Sequence, residues 1–356
     1  MINFVGLIGH KIRKKHHRRK NFIWWPIITF ILVGAIFASY IIRSGSQSVS
    51  SMDFGVTYSV NYVEEFGMDW KEVFDATVDE LGVRKIRLPI YWNQVEPLPD
   101  RYDFSKFDYM IKRAEETDTK LIVAIGRRLP RWPECHEPAW IYGQPEVFKQ
   151  KRILSMLRKV VERYKNSPAI VSWQVDNEPF FTVFGECPKY SENFLLEEVE
   201  LVRDLDPTKP ITITDSGELS TWLKASEIAD QLGISMYRVT WNQYFGYWYY
   251  PLSPRFYIRK AVLVKPLVDR MIISELQMEP WSTDMYLSTL SLQEQYRSMN
   301  TDRFWHNISF ARRTGFDESY LWGVEWWYWL KDFHGDAKMW DAAKELFIQD
   351  QHEQKG

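Results

Sequence analysis

The sequence predicts an α/β protein, an eight-stranded parallel (β/α)8 or TIM barrel, preceded by one N-terminal transmembrane helix. Three observations carry this reading. Between residues 52 and 350, strand-like apolar runs alternate eight times with helical patterns, and such a barrel needs ~250 residues plus insertions. The first of these strands runs into GVTYSVNYVEEFG, which lacks the glycine-rich phosphate turn that a doubly wound open sheet would place there. Ahead of the barrel, residues 22–42 read FIWWPIITFILVGAIFASYII with no charge, and roughly 20 apolar residues span a bilayer.

Residues 1–21 form a basic tail, with seven Lys or Arg and no acid in KIRKKHHRRK (11–20). The apolar run exceeds the ~7–15 residues of a cleaved signal peptide, and no clear A-x-A site follows it. Trp24 and Trp25 sit at its start, where indole rings favour the headgroup level, and the basic cluster belongs on the cytoplasmic side. Everything after Arg43 is therefore expected outside a cell membrane crossed once. Residues 43–51, rich in Ser and Gly, have the composition of a flexible tether, and 52–356 form the large domain.

In that domain FGVTYSV (54–60) reads as the first strand and DWKEVFDATVDELG (69–82) as an amphipathic helix. KIRLPIYW (85–92) is the second strand and 105–118 the helix after it. KLIVAIG (120–126) is apolar and β-branched, as buried parallel strands are; a long helix covers 144–166. AIVSWQVDNEP (169–179) is the fourth strand, followed by a helix over 192–206 that Pro207 and Pro210 end. ITITD (211–215) and QLGISMY (231–237) are strands five and six around the helical 220–230. An aromatic stretch, WNQYFGYWYYPLSP (241–254), precedes a helix over 253–270. MIISELQ (271–277) is strand seven, 290–315 is helical, SYLWGVEWW (319–327) is strand eight, and 341–350 is a final helix.

Composition narrows the chemistry. Hydrophobic residues at 45% and charged residues at 26% exclude a disordered or collagen-like chain. The aromatic share of 16% is more than a core needs and suggests a surface that stacks on something. The net charge of −2 hides an asymmetry: after Arg43 the chain carries 37 basic and 47 acidic residues. A domain so acidic is a poor partner for nucleic acid. A catalytic metal is not expected, because His136, His306 and His334 form no H-x-H or H-x-x-x-H set. No cofactor is expected, and the oligomeric state is open.

Catalytic groups of a barrel sit at the C-terminal ends of its strands. Glu178 ends strand four and Glu275 ends strand seven. A carboxylate at the end of a buried strand is costly unless paired or used. Two of them facing across a barrel mouth supply what glycoside hydrolysis needs, one to protonate the leaving oxygen and one to attack or to activate water. The plainer reading, two Glu merely paired with Arg, stands beside it.

These residues give the chain its likeness. Asn177-Glu178-Pro179 with a strand-seven Glu275 in IISELQMEPW resembles the clan of retaining (β/α)8 glycoside hydrolases that includes the family 5 cellulases and mannanases. The resemblance implies Glu178 as acid/base and Glu275 as nucleophile, in a membrane-anchored β-glycosidase acting on β-linked oligo- or polysaccharides by double displacement. It further implies that Arg87 supports the nucleophile, Tyr237 hydrogen-bonds to it, Asn177 holds the sugar 2-hydroxyl, and Trp322 floors the first subsite. The chain departs from many family 5 members in having Ser235 two residues before Tyr237, where they carry His. The usual strand-three His has no counterpart, although His136 lies further along that loop.

Other residues carry weaker signals. Trp92, Trp132, Trp140, Trp241, Trp248, Trp281, Trp326 and Trp327 fall in or near the expected mouth. Sugar stacking and core packing are both open for each; Trp92, Trp132 and Trp281 are taken as substrate contacts. Residues 241–254 are expected to form a cleft wall or lid. Glu279 and Glu325 suit polar contacts or ion pairs, and Asp176 a structural role. Asn307-Ile308-Ser309 fits the glycosylation pattern. Cys135 and Cys187, in adjacent loops, suit a disulfide in an oxidising compartment; free buried thiols are the alternative. A catalytically silent, membrane-tethered carbohydrate-binding barrel is the competing class.

Overall fold

A computed structural model describes residues 25–34 and 51–353, apart from 189–190, 282 and 284–285. Eight parallel strands close into a barrel: β1 (Asp53–Thr57), β2 (Lys85–Pro89), β3 (Lys120–Ile125), β4 (Ile170–Val175), β5 (Ile211–Asp215), β6 (Gln231–Met236), β9 (Arg270–Gln277) and β10 (Glu318–Trp322). Around the barrel the order is β1-β10-β9-β6-β5-β4-β3-β2. Two short strands, β7 (Val239–Asn242) and β8 (Gly246–Tyr249), pair antiparallel as a hairpin after β6. The expected seventh and eighth strands are thus β9 and β10.

The strands are buried on both faces, so they are nearly continuous apolar runs. The helices outside them are α1 (Val60–Glu65), α2 (Trp70–Asp79), α3 (Trp92–Val95), α4 (Ser105–Glu116), α5 (Glu146–Tyr164) and α6 (Glu192–Leu205), then α7 (Leu223–Ile228) and α8 (Pro254–Val264). The last four are α9 (Leu292–Ser298), α10 (Thr301–Arg312), α11 (Val324–His334) and α12 (Lys338–Glu353). Each barrel helix buries one stripe: in α5 it is Ile153, Met156, Leu157, Val160, Val161 and Tyr164, the spacing of a single helical face. Caps set the boundaries. Asp69 accepts the Lys71 and Glu72 N–H groups at the start of α2, and Ser191 accepts the Phe194 N–H at the start of α6.

Several boundaries differ from the sequence reading; the second strand, for one, ends at Pro89 and not at Trp92. The first strand ends at Thr57, because Ser59 caps α1 by accepting the Tyr62 N–H. The fourth ends at Val175, and residues 176–179 turn away from the sheet with positive φ at Asp176 and Glu178. The helix expected over 290–315 is two, since the Asn300 side chain caps α10. The eighth strand ends at Trp322: Gly323, at φ 142°, turns the chain, and the aromatic run after it is helix α11. That helix buries Trp326 and Trp327 completely, so both are core residues and not rim rings.

At the base of the barrel Lys85 pairs with Asp53 and Glu318, and Arg270 reaches Glu318 at 3.1 Å. At the opposite end, the loops after β3 and β4 are joined by the Cys135–Cys187 disulfide, which spans 52 residues. Of the expected membrane span, residues 25–34 are described; they are helical, with Trp25, Phe30 and Ile31 mostly exposed. Among the described residues no helix is long and apolar enough to cross a membrane. The tail 1–21, the rest of 22–42 and residues 43–50 lie outside the described residues. Closing a loop of that length by a disulfide contributes about 4 kcal/mol in the chain-entropy account. A Cys135→Ser/Cys187→Ser variant is accordingly expected to unfold at clearly lower denaturant than the oxidised protein, measured by equilibrium urea titration.

Candidate active site

The C-terminal ends of β2, β4, β6 and β9 meet around one buried guanidinium. Arg87, on β2 and fully buried, gives Nε to Gln174 Oε1 at 2.7 Å, Nη1 to Glu275 Oε1 at 2.7 Å and Nη2 to Asn177 Oδ1 at 2.7 Å. One side chain thereby ties β2 to β4 and β9. Glu275 Oε2 accepts from the Tyr237 hydroxyl at 3.0 Å, so both oxygens of this carboxylate are held. Burial, and next the charge of Glu275, raise the Tyr237 phenol well above its ordinary value, which keeps it a donor.

Glu178 occupies the opposite kind of surroundings. Its backbone, at φ 42°, is held by its own N–H donating to Thr214 Oγ1 at 2.8 Å. Among the described residues no guanidinium reaches its carboxyl, and Oε1 receives no hydrogen bond. Burial first, then the charges of Glu275 and Glu134, raise it well above the carboxylate range, with the Ser235 hydroxyl partly offsetting them. Two carboxyls in one mouth are thus set apart by their neighbours, one bonded by a guanidinium and a phenol and one pushed toward its protonated form.

Sequence reasoning missed Glu134. This buried carboxyl sits beside the disulfide, pairs with Arg128 and accepts from Asn177 Nδ2 at 3.5 Å. Burial pushes it up to about 8, opposed by Arg128 and reinforced by Glu275. The available signal was position alone, a Glu next to a loop cysteine in RWPEC.

The loop 127–136 that carries Glu134 is secured along its length. Asp176 Oδ1 accepts the N–H groups of Arg127 and Arg128 at 3.0 and 3.1 Å, so the structural role expected for Asp176 is to root this loop. At its far end Arg131 bonds to Glu279, and to Glu325 Oε2 at 2.7 Å. Its guanidinium lies 3.7 Å from the Tyr62 ring centroid and 4.0 Å from that of Trp322. Glu279 also accepts Trp322 Nε1 at 2.8 Å. Trp322 is at the expected strand end, but one face of its ring is covered by Arg131.

His136 is not a ligand of the site. It packs at a tilt against Tyr91, receives the Asn61 amide on Nδ1 at 3.2 Å and lies 3.1 Å from the Arg131 carbonyl through Nε2. These partners assign the neutral tautomer with its proton on Nε2. Among the described residues no cluster of His, Cys, Asp or Glu could hold a metal.

The tryptophans divide. Trp132 is exposed at the loop tip and meets Phe184, which meets Trp281, which meets Tyr237, so these rings edge the mouth. Trp92 is fully buried, with Nε1 on Glu96 Oε2 at 2.8 Å, and cannot touch a substrate. Tight packing behind α3 overrode its nearness in sequence to the mouth. Trp140 donates to the Glu96 carbonyl. Trp241 and Trp248 lie on the β7–β8 hairpin, whose tip exposes Tyr244 and Phe245. Asn307 is buried in α10 and donates to the Gln277 carbonyl, which removes it as a glycan acceptor.

The model of cellulase, glycosyl hydrolase family 5, matches residues 49–287. The chain belongs to this family. The match includes both Glu178 and Glu275. A beta-galactosidase, BgaA of Clostridium cellulovorans, is 22% identical over 209 residues, 51% of this chain and 30% of that protein. Mannan endo-1,4-beta-mannosidase F of Aspergillus clavatus is 26% identical over 118 residues, 32% of this chain and 27% of that protein. The family 5 chain therefore aligns with less than a third of either relative's length. Among solved structures, xylanase 10B of Thermotoga maritima covers 85% of this chain and 97% of its own, with TM-score 0.52 and 16% identity. The beta-galactosidase of Halorubrum lacusprofundi covers 83% of this chain and 58% of its own, with TM-score 0.54 and 17% identity. At those identities the structures share the fold.

Burial holds the His136 imidazole down to about 4, against an unfolded value of about 6.5. The unfolded chain binds the extra proton between those values, so this histidine's contribution is complete above about pH 6.5 and is lost as pH falls toward 4. The loss is of order 3 kcal/mol. Thermal midpoints between pH 4 and 7 should fall more steeply for the wild type than for His136→Gln.

Proposed function

We propose that the chain is a retaining β-glycosidase that hydrolyses β-linked oligo- or polysaccharides. The observation that carries the reading is the division of labour between Glu275, bonded by Arg87 and Tyr237, and Glu178, buried without a cationic partner. In the first step Glu275 attacks the anomeric carbon, the C1–O bond breaks, and the Glu178 proton passes to the leaving oxygen. In the second, water loses a proton to Glu178 and its oxygen displaces Glu275 from C1. Tyr237 and Arg87 hold the nucleophile in line throughout, and Asn177, its Oδ1 fixed by Arg87 and by Thr214 at 3.2 Å, faces the sugar 2-hydroxyl. Trp132 and Trp281 serve as rim contacts for sugar faces. The named activities of the relatives span galactosides and mannans, so the common ground is a β-linked sugar.

We also assign residues 22–42 as a membrane anchor that leaves the barrel outside the cell membrane. The uncharged run, the basic stretch before it and the exposed apolar helix over 25–34 support this. The disulfide fits an oxidising compartment.

Glu275→Gln is expected to abolish hydrolysis of aryl β-glycosides and β-glycans, by about 10⁴-fold or more, while sparing sugar binding. Glu178→Gln should lose activity on poor leaving groups far more than on activated aryl ones, and the wild-type kcat/KM should decline as pH rises through the raised Glu178 value. A binding-only barrel would show sugar affinity and no turnover in any of these assays. For the anchor, the full chain should stay with membranes through a high-salt wash, and deletion of residues 1–51 should release the barrel.

A further inference from the structure

We infer that the site is a dead-end pocket for one sugar, so that the chain removes sugars singly from the non-reducing end of a β-linked glycan. The inference rests on the roles of Glu178 and Glu275 proposed above. A leaving oxygen protonated by Glu178 lies at the end of β4. In the order β1-β10-β9-β6-β5-β4-β3-β2, the strand four places from β4 in either direction is β10. A glycan whose leaving part lies over β4 therefore sends its other, non-reducing part toward β10.

That exit is filled. Trp322 ends β10, and Arg131 lies over its ring, with Tyr62 on the guanidinium at 3.7 Å and the carboxyls of Glu279 and Glu325 bonded to it. Of these five residues four are under a tenth exposed, and the fifth, Tyr62, is half-buried. A second sugar on this side would have to pull a guanidinium away from two buried carboxyls and two rings. The plug does not stand alone, because the Arg131 loop is built against the rim from β3 round to β10. Tyr91, just past β2, donates to the Pro130 carbonyl at 3.0 Å, and His136 fixes the Arg131 backbone against Asn61 of α1. Glu325 in turn accepts the Ser59 N–H at 2.6 Å, just past β1.

The leaving-group side is different. A pocket of about 300 Å³ opens among the residues that follow Glu178 in the chain, lined by Arg128, Pro179, Phe180, Thr182, Phe184 and Lys224. It offers room for the rest of the glycan on the side away from the plug. Rings of Phe184 and Trp281 narrow the mouth between the two, and Glu178 and Glu275 are only 6% and 4% exposed, as a pocket and not a groove would have them.

The full chain in detergent micelles would be given tetra- and pentasaccharides of β-linked glucose, mannose and galactose, labelled at the reducing end. The label should step down one sugar at a time, with monosaccharide the sole co-product from the first turnovers. Early labelled fragments shorter by two or more sugars would overturn the inference. Arg131→Ser combined with Glu279→Gln and Glu325→Gln removes the plug and its charges together, and should add disaccharide release absent from the wild type. A folded triple variant with the wild-type product ladder would also overturn it, and the wild-type ladder decides even where the variant does not fold. The two readings fail apart: activity surviving in Glu275→Gln strikes the nucleophile, whereas internal cleavage that Glu275→Gln silences strikes the pocket alone.

Discussion

The Arg87 guanidinium is the constraint on which the site depends. Buried in β2, it has its charge compensated by Gln174, Asn177 and Glu275, each of which accepts from it. Removing one partner of such a buried pair costs roughly 3–5 kcal/mol, since the remaining charge is left without compensation. The same three bonds do chemical work. They fix the Glu275 carboxyl, orient the Asn177 amide, and leave Glu178 as the carboxyl without a cation. The difference between the two glutamates is thus a property of one arginine and its reach across the barrel.

A second polar cluster shapes access. Arg131 comes from the loop after β3, yet its partners stand after β1, β9 and β10. Its planar group suits this place, because it can stack between Tyr62 and Trp322 while bonding two carboxyls in its own plane. Burial raises Glu279 to about 7 against the pull of Arg131, and raises Glu325 in the same way. The Cys135–Cys187 bridge, the Asp176 carboxylate and the neutral His136 all secure the same loop. So many restraints on one stretch fit a wall whose position decides what the mouth admits.

Local sequence pattern revealed the barrel, because KLIVAIG and its counterparts are buried on both faces and carry their apolar signature in consecutive residues. Glu178 and Glu275 were legible for the same reason: a charge at the end of such a run stands out. Boundaries were not, where a single residue decided them, as Gly323 does in turning an apolar aromatic run into α11. Trp92, Trp326 and Trp327 look like rim rings in a linear reading and are core, because a helix can fold a ring inward from a position adjacent to the mouth. Arg131 and Glu134 were invisible for a deeper reason. Apart from the Arg128 that pairs with Glu134, their partners lie 43 to 194 positions away, and nothing in RRLPRWPEC says that the loop follows the rim to β10.

The mouth gathers five buried carboxyls, those of Glu134, Glu178, Glu275, Glu279 and Glu325, against the guanidiniums of Arg87, Arg128 and Arg131. With protons on Glu134 and Glu178 the balance reaches neutrality; without them it is negative, and in neither state is it positive. A uronate, a sulfated sugar or a phosphorylated one would bring its own negative charge into a low-dielectric space where these eight groups leave no surplus cation to receive it. In the function proposed above, the charge balance that tunes the two glutamates therefore also favours neutral sugars.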